Sequence, residues 1–265
     1  VYALIISEVV HRTLAAAIGG LAALAALNYY KEGGALSLAE TTALIEWETI
    51  GLLLGMMIMV GIMAHTGIFE WFAVQAYKQS KGNVWSLVVI LCVVTAVLSA
   101  FLDNVTTMLL LTPVTIQLAR VLDLNPIPLL ISEVIFSNIG GTATMIGDPP
   151  NIIIGSTMSE SAIAGNEKAE IAALASEGVT FTDFIVELAP GVLLTAVPCL
   201  MMVKWMYASE FAGERIRDVK ELEAKYGIKD AKMLKVSGTI LCLVILGFFL
   251  NPIHHVSVSW VALVG

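Results

Sequence analysis

Seven apolar runs dominate this chain of 265 residues and limit what it can fold into. The hydrocarbon core of a bilayer is about 30 Å thick, so a helix needs roughly 20 apolar residues to cross it. The runs are residues 13–28, 49–65, 85–102, 105–119, 128–157, 182–207 and 236–250. Charged residues make up only 14% of the chain, whereas about a quarter of the residues in soluble domains are charged. The sequence therefore predicts an all-α polytopic membrane protein, integral and multi-pass.

The fourth run is too short for an ordinary membrane span. It covers residues 105–119, is followed by Arg120 and contains Pro113. We therefore interpret residues 85–119 as a re-entrant helical hairpin that enters and leaves the membrane on the same side, with "LDNVTT" as its turn. The segment 67–80 fits either a helix lying at the membrane interface or an ordinary helix end.

The basic residues predict the orientation. If the hairpin does not cross the membrane, all 14 basic residues except Lys31 and Lys168 fall on one face, which the positive-inside rule makes cytoplasmic. Residues 208–235 then form a charged cytoplasmic linker. The membrane is the plasma membrane in a prokaryote, and an organelle membrane is open in a eukaryote. No basic stripe interleaves with aromatic residues, so we expect no nucleic acid partner.

The fifth run is interrupted by "NIGGTATMIGDPPNIIIG", residues 138–155. The parts on either side, residues 128–138 and 149–157, would form helices of about 16 and 13 Å, each half a membrane thickness. Asp148 followed by Pro149 is a strong helix-start signal. Non-helical backbone at membrane depth survives only when it is buried in protein or lines a wet cavity. The sequence therefore predicts a broken transmembrane helix with a function at its break.

The two polar interruptions predict a binding site for an ion or a small substrate. Carbonyl groups ending the first half-helix favour a cation, and amides beginning the second favour an anion. Turn chemistry is the alternative role for Asp103 and Asn104, and bonding to helix carbonyls is the alternative for the threonines of the break. The candidate site residues are Asp103, Asn104, Thr106, Thr107, Asn138, Gly140, Gly141, Thr142, Thr144, Asp148 and Asn151.

Other polar residues lie outside this site. Glu133 fits a proton carrier and a buried, hydrogen-bonded acid equally well. Three cysteines, Cys92, Cys199 and Cys242, lie in apolar runs without partners at metal-ligand spacing, so packing explains them. His254 and His255 are predicted to be loop residues, and we expect no bound cofactor beyond a coupling sodium ion or proton.

Two motifs carry a family resemblance. "SAFLDNVTTMLLLTPVTI" (residues 99–116) and "SNIGGTATMIGDPPNIIIGS" (residues 137–156) resemble the ion transporter superfamily. That group includes arsenite efflux pumps, sodium/proton antiporters, divalent-anion/sodium symporters and the P protein of pigment cells. The upstream "LIISEVVHRTLAA" and "WETIGLLLGMM" look closest to P-protein-like permeases.

The resemblance implies two inverted repeats, each with a re-entrant hairpin and a broken helix, and a transport site where the repeats meet. Residues 1–207 would then be the first repeat, 208–235 the linker and 236–265 the start of the second repeat. The expected partners are a small inorganic or organic ion, the lipid bilayer, the second repeat of the same protein and a second copy in a homodimer.

The resemblance also implies roles for individual residues. In the symporters the hairpin tip and the unwound helix supply sodium ligands, which correspond to Asp103 and Asn104 and to Gly140, Gly141 and Thr142. A sodium ion would be held at Asp103, Asn104 and Gly140.

In the sodium/proton antiporters, acidic and amide residues of these motifs exchange cations and protons, which singles out Asp103, Asn104, Asn138 and Asp148. The symporters carry serine or threonine at the positions of the two aspartates. This departure argues against a dicarboxylate substrate, because two added carboxylates repel an anion unless they are protonated or bound to a cation.

The function expected from these observations is secondary active ion transport by alternating access, coupled to sodium or protons. An anion transporter for arsenite, chloride or a dicarboxylate, and an uncoupled anion channel, are the alternatives. An intramembrane aspartyl protease would also use two aspartates. However, "MIGD" lacks the first glycine of the protease motif, and no tyrosine precedes Asp103.

Overall fold

The computed structural model describes residues 2–6, 10–30, 36–158, 179–214, 227–254 and 256–265. Outside an isolated bridge between Asn83 and Glu214, these residues form helices, turns and helix caps. The chain divides into two compact units, Val1–Glu46 and Trp47–Gly265. The first contains α1 (Tyr2–Ile6), α2 (Arg12–Tyr30) and α3 (Leu38–Ala43). The second contains α4 (Trp47–Ala64), α5 (Ile68–Ser80), α6 (Val84–Phe101), α7 (Asn104–Val121), α8 (Pro126–Thr142), α9 (Pro149–Thr157), α10 (Phe181–Met206), α11 (Ala231–Phe249), α12 (Asn251–His254) and α13 (Val258–Val264).

Several of these helices are long and apolar enough to cross a bilayer. They are Thr13–Tyr30, Trp47–Ala64, Val84–Phe101, Phe181–Met206 and Ala231–Phe249. Each matches one of the apolar runs of the sequence to within a few residues. The prediction of an all-α polytopic membrane protein is therefore confirmed, while the repeat and the re-entrant path of the hairpin stay predictions.

Helices α6 and α7 form the predicted hairpin, with Leu102 and Asp103 as the turn between them. Helix α6 begins after Asn83, whose Oδ1 accepts a hydrogen bond of 2.9 Å from the Ser86 amide. Helix α7 continues past the predicted end to Val121 and keeps Pro113 inside it. Helix α8 packs against both helices of the hairpin.

The first half of the broken helix is longer than predicted. The sequence suggested an end near Asn138, but α8 continues through Thr142. The prediction that Gly140, Gly141 and Thr142 form the unwound loop is therefore wrong, and the non-helical segment is residues 143–148. Close packing explains the glycine at position 140, because a Cβ atom there would overlap with the carbonyl group of Ala96 in α6.

Helix α5 packs on the hairpin through one apolar face. Phe69, Ala73 and Tyr77 are buried on this face, against α6 and α7. Its location at the membrane interface stays a prediction.

Helix α10 contacts the beginning of α6, where the Lys204 ammonium group lies 5.2 Å from the centre of the Trp85 ring.

The remaining helices carry large exposed apolar surfaces. On α10, Leu193 is 70% exposed and Leu194 is 76% exposed, as expected of side chains that face lipid or another protein segment.

Residues 215–226 of the predicted linker, together with Lys31, Lys168 and His255, lie outside the described residues. His254 ends the short helix α12 rather than lying in a loop.

Helix α13 packs against α4 at a glycine. A Cβ atom on Gly55 would lie 2.6 Å from the carbonyl oxygen of Ala262, whereas one on Gly61 of the same helix would meet nothing within 4 Å. We expect Gly55→Ala to destabilise the protein by about 1–3 kcal/mol, because backbone atoms of α13 must move. Gly61→Ala should be neutral or stabilising by up to about 1 kcal/mol, as alanine favours helix. Thermal unfolding of the full-length protein in detergent, followed by tryptophan fluorescence, measures both variants. Equal melting temperatures would contradict this packing.

Candidate ion-binding site

The hairpin tip is organised by Asp103, which caps α7. Its Oδ1 atom accepts a hydrogen bond of 2.9 Å from the Thr106 amide. Capping uses one carboxylate oxygen, so the turn role of Asp103 is compatible with a ligand role for its second oxygen. Deeper in the tip, Thr107 is buried, and its Oγ1 has no hydrogen-bond partner in the described part of the chain.

An amide pair joins the hairpin tip to α8. The Asn104 Nδ2 group donates to Oδ1 of Asn138 over 3.1 Å. The Nδ2 group of Asn138 donates in turn to the Val134 carbonyl over 2.8 Å. This arrangement leaves the side-chain oxygen of Asn104 as a possible ligand, because only its nitrogen is used in the pair.

Side chains hold the non-helical segment in place. The Thr144 hydroxyl donates to the Ala100 carbonyl of α6 and accepts from the Gly147 amide at 3.1 Å. From α9, the Asn151 Nδ2 group donates to the carbonyls of Gly141 at 3.1 Å and Thr144 at 3.0 Å. These bonds satisfy backbone groups that the helix break would otherwise leave unpaired.

Two glycines and a serine meet where the break touches the hairpin. A Cβ atom on Gly147 would lie 2.5 Å from the Gly141 carbonyl oxygen and 2.7 Å from that of Ser99. Ser99 is fully buried, and its hydroxyl has no partner among the residues described. Sequence reasoning missed Ser99, although it lies one helical turn before the hairpin turn. The packing is too close for any larger residue at Gly147 without a backbone shift.

Two acidic residues flank the contact between the hairpin and the break. Asp148 follows Gly147, and Asp103 lies four residues after Ser99, which Gly147 touches. Both aspartates are partly exposed, and neither forms an ion pair with another described residue. Like charges held near one another disfavour double ionisation unless a cation or a proton joins them.

The beginning of α9 is a poor anion site. Pro149 and Pro150 have no N–H group, and the next two amides, of Asn151 and Ile152, both donate to the Asp148 carbonyl at 3.0 and 3.3 Å. The first turn of α9 therefore offers no free amide donor to an anion, contrary to the expectation that amides of the second half-helix hold one. The double proline in the sequence already indicated that two of these donors are missing.

The predicted residues divide into two groups. Asp103, Thr106 and Thr107 lie at the beginning of α7, Asn104 pairs with Asn138 of α8, and Asp148 ends the break. Thr142 bonds back to the Asn138 carbonyl over 2.8 Å, the structural alternative considered for it. Structural roles also account for the contacts of Gly140, Gly141, Thr144 and Asn151. The assignment of any of these residues to an ion stays a prediction.

Comparison with known proteins identifies the family. A sequence model of a protein family described as "Citrate transporter" matches residues 2–265. The chain belongs to the CitMHS citrate transporter family. This family consists of membrane transporters, so the chain is not assigned to the intramembrane proteases or to any other class of enzyme.

Relatives of this citrate transporter family chain occur in animals and bacteria. The P protein of Homo sapiens is 40% identical over all of the chain and 38% of its own length. An uncharacterized transporter of Mycobacterium tuberculosis is 40% identical over 83% of the chain and 47% of its own length. A 46 kDa membrane protein of Mycobacterium leprae is 37% identical over all of the chain and 57% of its own length. The chain thus spans about half the length of these relatives or less.

The double hydrogen bond of Asn151 can be tested in this citrate transporter family protein. Asn151→Asp keeps the shape of the side chain but removes the Nδ2 donor from two buried carbonyls, so we expect a loss of stability of about 2 kcal/mol or more. The matched control is Asn125→Asp. Asn125 accepts from the Ile127 amide over 3.1 Å, and aspartate performs the same helix-capping role. Thermal unfolding of the full-length protein measures both. A melting temperature for Asn151→Asp no lower than that of Asn125→Asp would contradict the assignment.

Proposed function

We propose that the full-length protein is a secondary active ion transporter that binds a cation between the hairpin tip and the helix break. The observation that carries this proposal is the close packing of Gly147 on Ser99, because it brings the segment that holds Asp148 against the end of α6, four residues before Asp103. Two carboxylates at membrane depth without a basic partner among the described residues are best explained by a site for a sodium ion or a proton.

The atoms around the carboxylates suit a hard cation. The second oxygen of Asp103, the side-chain oxygen of Asn104 and the carbonyl of Gly140 are the proposed sodium ligands. Hard cations prefer such oxygen ligands. The carbonyl end of α8 adds partial negative charge in the same region. Thr106, Thr107, Asn138, Thr142 and Asn151 are the remaining residues of the proposed site.

Alternating access requires parts that this chain does not include. The chain spans at most 57% of the relatives described above, and the proposed first repeat supplies one hairpin and one broken helix. A second, inverted repeat would supply the opposite half of the site. We further propose that two copies form a homodimer, in which exposed apolar faces such as that of α10 contact lipid or protein.

A second candidate is cation-coupled uptake of citrate, which the description of the family favours. A cation bound between Asp103 and Asp148 would neutralise the repulsion that a polycarboxylate meets at this site. The anion would be held beside that cation rather than by the first amides of α9. Uptake of citrate that depends on sodium or on a proton gradient distinguishes this candidate from simple cation exchange.

The charge of Asp103 can be removed without disturbing the turn. Asp103→Asn keeps an oxygen that accepts from the Thr106 amide, because asparagine caps helices as well as aspartate does. We expect this variant to lower sodium-driven proton movement by at least about tenfold, equivalent to about 1.4 kcal/mol. The measurement uses full-length protein in sealed liposomes containing a pH-sensitive dye, with sodium or lithium added outside.

The matched control for this substitution is Asp123→Asn. Asp123 is exposed in the turn after α7 and has a φ of 55°, a conformation that asparagine also adopts readily. Its variant should retain the wild-type rate. Wild-type rates for Asp103→Asn would remove Asp103 from the site. Wild-type protein that moves no protons but accumulates citrate would favour the second candidate.

A further inference from the structure

Glu133 is a fully buried acid that the proposed ion site does not use. It lies in α8 and is 1% exposed. The Thr115 hydroxyl of α7 donates to its Oε1 atom over 2.8 Å. The other carboxyl oxygen, Oε2, has no hydrogen-bond partner among the described residues. Glu133 lies more than one helical turn before Asn138, so it is separate from the carboxylates at the break.

The surroundings of Glu133 contain no compensating charge. Helix α6 contributes no charged residue, and its Cys92 thiol is buried close to Glu133. On α7, Arg120 is exposed. On α10, which also packs against α8, Lys204 stacks on Trp85 and Glu187 is exposed. The third charged residue of α10, Asp183, accepts hydrogen bonds from Thr180.

A single hydroxyl donor does not stabilise an ionised carboxylate in an apolar interior, and such a group takes up a proton instead. In the arrangement described, Oε2 carries that proton and Oε1 remains the carbonyl oxygen that accepts from Thr115. The O–H group on Oε2 then lacks an acceptor. A buried polar group left unpartnered is uncommon in native structures and calls for a functional explanation.

A cleft lies beside Glu133. It has a volume of about 410 Å³ and is lined by residues of α7 and α8, among them Val134, next to Glu133, and Ser137, one turn away. The amide pair Asn104–Asn138 and the Thr115–Glu133 bond are hydrogen bonds that cross between these helices. Pro113 lies in the cleft wall close to Thr115 and removes a backbone hydrogen bond from α7, which makes the helix easier to bend there.

We propose that Glu133 binds a proton that is released and rebound during the transport cycle, which gives the chain a proton site in addition to the ion site at the helix break. This inference rests on the proposed function, because movement of α7 against α8 during transport is what brings Oε2 into contact with water. Protonation closes the contact with α7, and opening of the cleft allows the proton to leave.

Infrared spectroscopy of the full-length protein in lipid nanodiscs tests the bound proton directly. We expect a carbonyl stretching band of a protonated carboxylic acid that disappears in Glu133→Gln. The band should persist in the matched control Glu187→Gln, which changes an exposed glutamate of α10. Thr115→Val keeps the acid but removes the hydrogen bond to Oε1, so the band should move to higher frequency. An unchanged band in both Glu133→Gln and Thr115→Val would overturn the proposal.

Proton movement in liposomes tests the exchange. With the pH-sensitive dye inside and sodium added outside, Glu133→Gln should lower proton movement roughly tenfold. Binding of radioactive sodium should stay within about twofold of wild type, because the ion site is separate. Wild-type proton movement in Glu133→Gln would overturn the inference.

The same measurements separate failure of this inference from failure of the proposed function. Wild-type protein that binds and carries sodium without moving protons overturns the role of Glu133 but leaves the sodium site intact. If Asp103→Asn binds sodium as well as wild type, the proposed ion site fails, whatever Glu133→Gln does. If Glu133→Gln does not fold, Thr115→Val provides the test through its infrared band and its rate of proton movement. An unshifted band together with an unchanged rate would overturn the proposal.

Discussion

The satisfaction of backbone polar groups at the break between α8 and α9 is the constraint on which the rest of this fold depends. The interruption between Thr142 and Pro149 leaves carbonyl and amide groups without intrahelical partners. Thr144 in the break and Asn151 in α9 supply these partners, and Thr144 in turn uses a carbonyl of α6. The break and the last turn of α6 are therefore one structural unit, because the polar contacts of the break include the Ala100 carbonyl of α6.

Close approach of backbones is the second requirement of that unit. Gly140 brings α8 against Ala96, and Gly147 brings the break against the last turn of α6. These contacts bring the end of α6, which leads into the Asp103 turn, next to the segment that ends at Asp148.

Local patterns in the sequence predicted much of this arrangement, and tertiary contacts explain what they missed. Apolar length predicted the five membrane-length helices of the described residues, Asp148 before Pro149 predicted the start of α9, and the polar turn predicted the hairpin. The extension of α8 through Gly140 was not predictable, because glycine there serves contact with Ala96 rather than unwinding. The pairing of Asn104 with Asn138 likewise depends on how two helices cross. Thr115 could not be assigned to Glu133 from sequence, since 18 residues separate them.

The cap at Asp103 bears on how substrate choice can diverge within such a scaffold. One carboxylate oxygen holds the Thr106 amide, a task that serine, threonine or asparagine performs about as well. The charge at the hairpin tip can therefore be gained or lost by a single substitution without refolding the turn. In the proposed ion site, such a substitution would change the charge offered to the ion while the backbone stays constant, so one architecture could serve substrates of opposite sign.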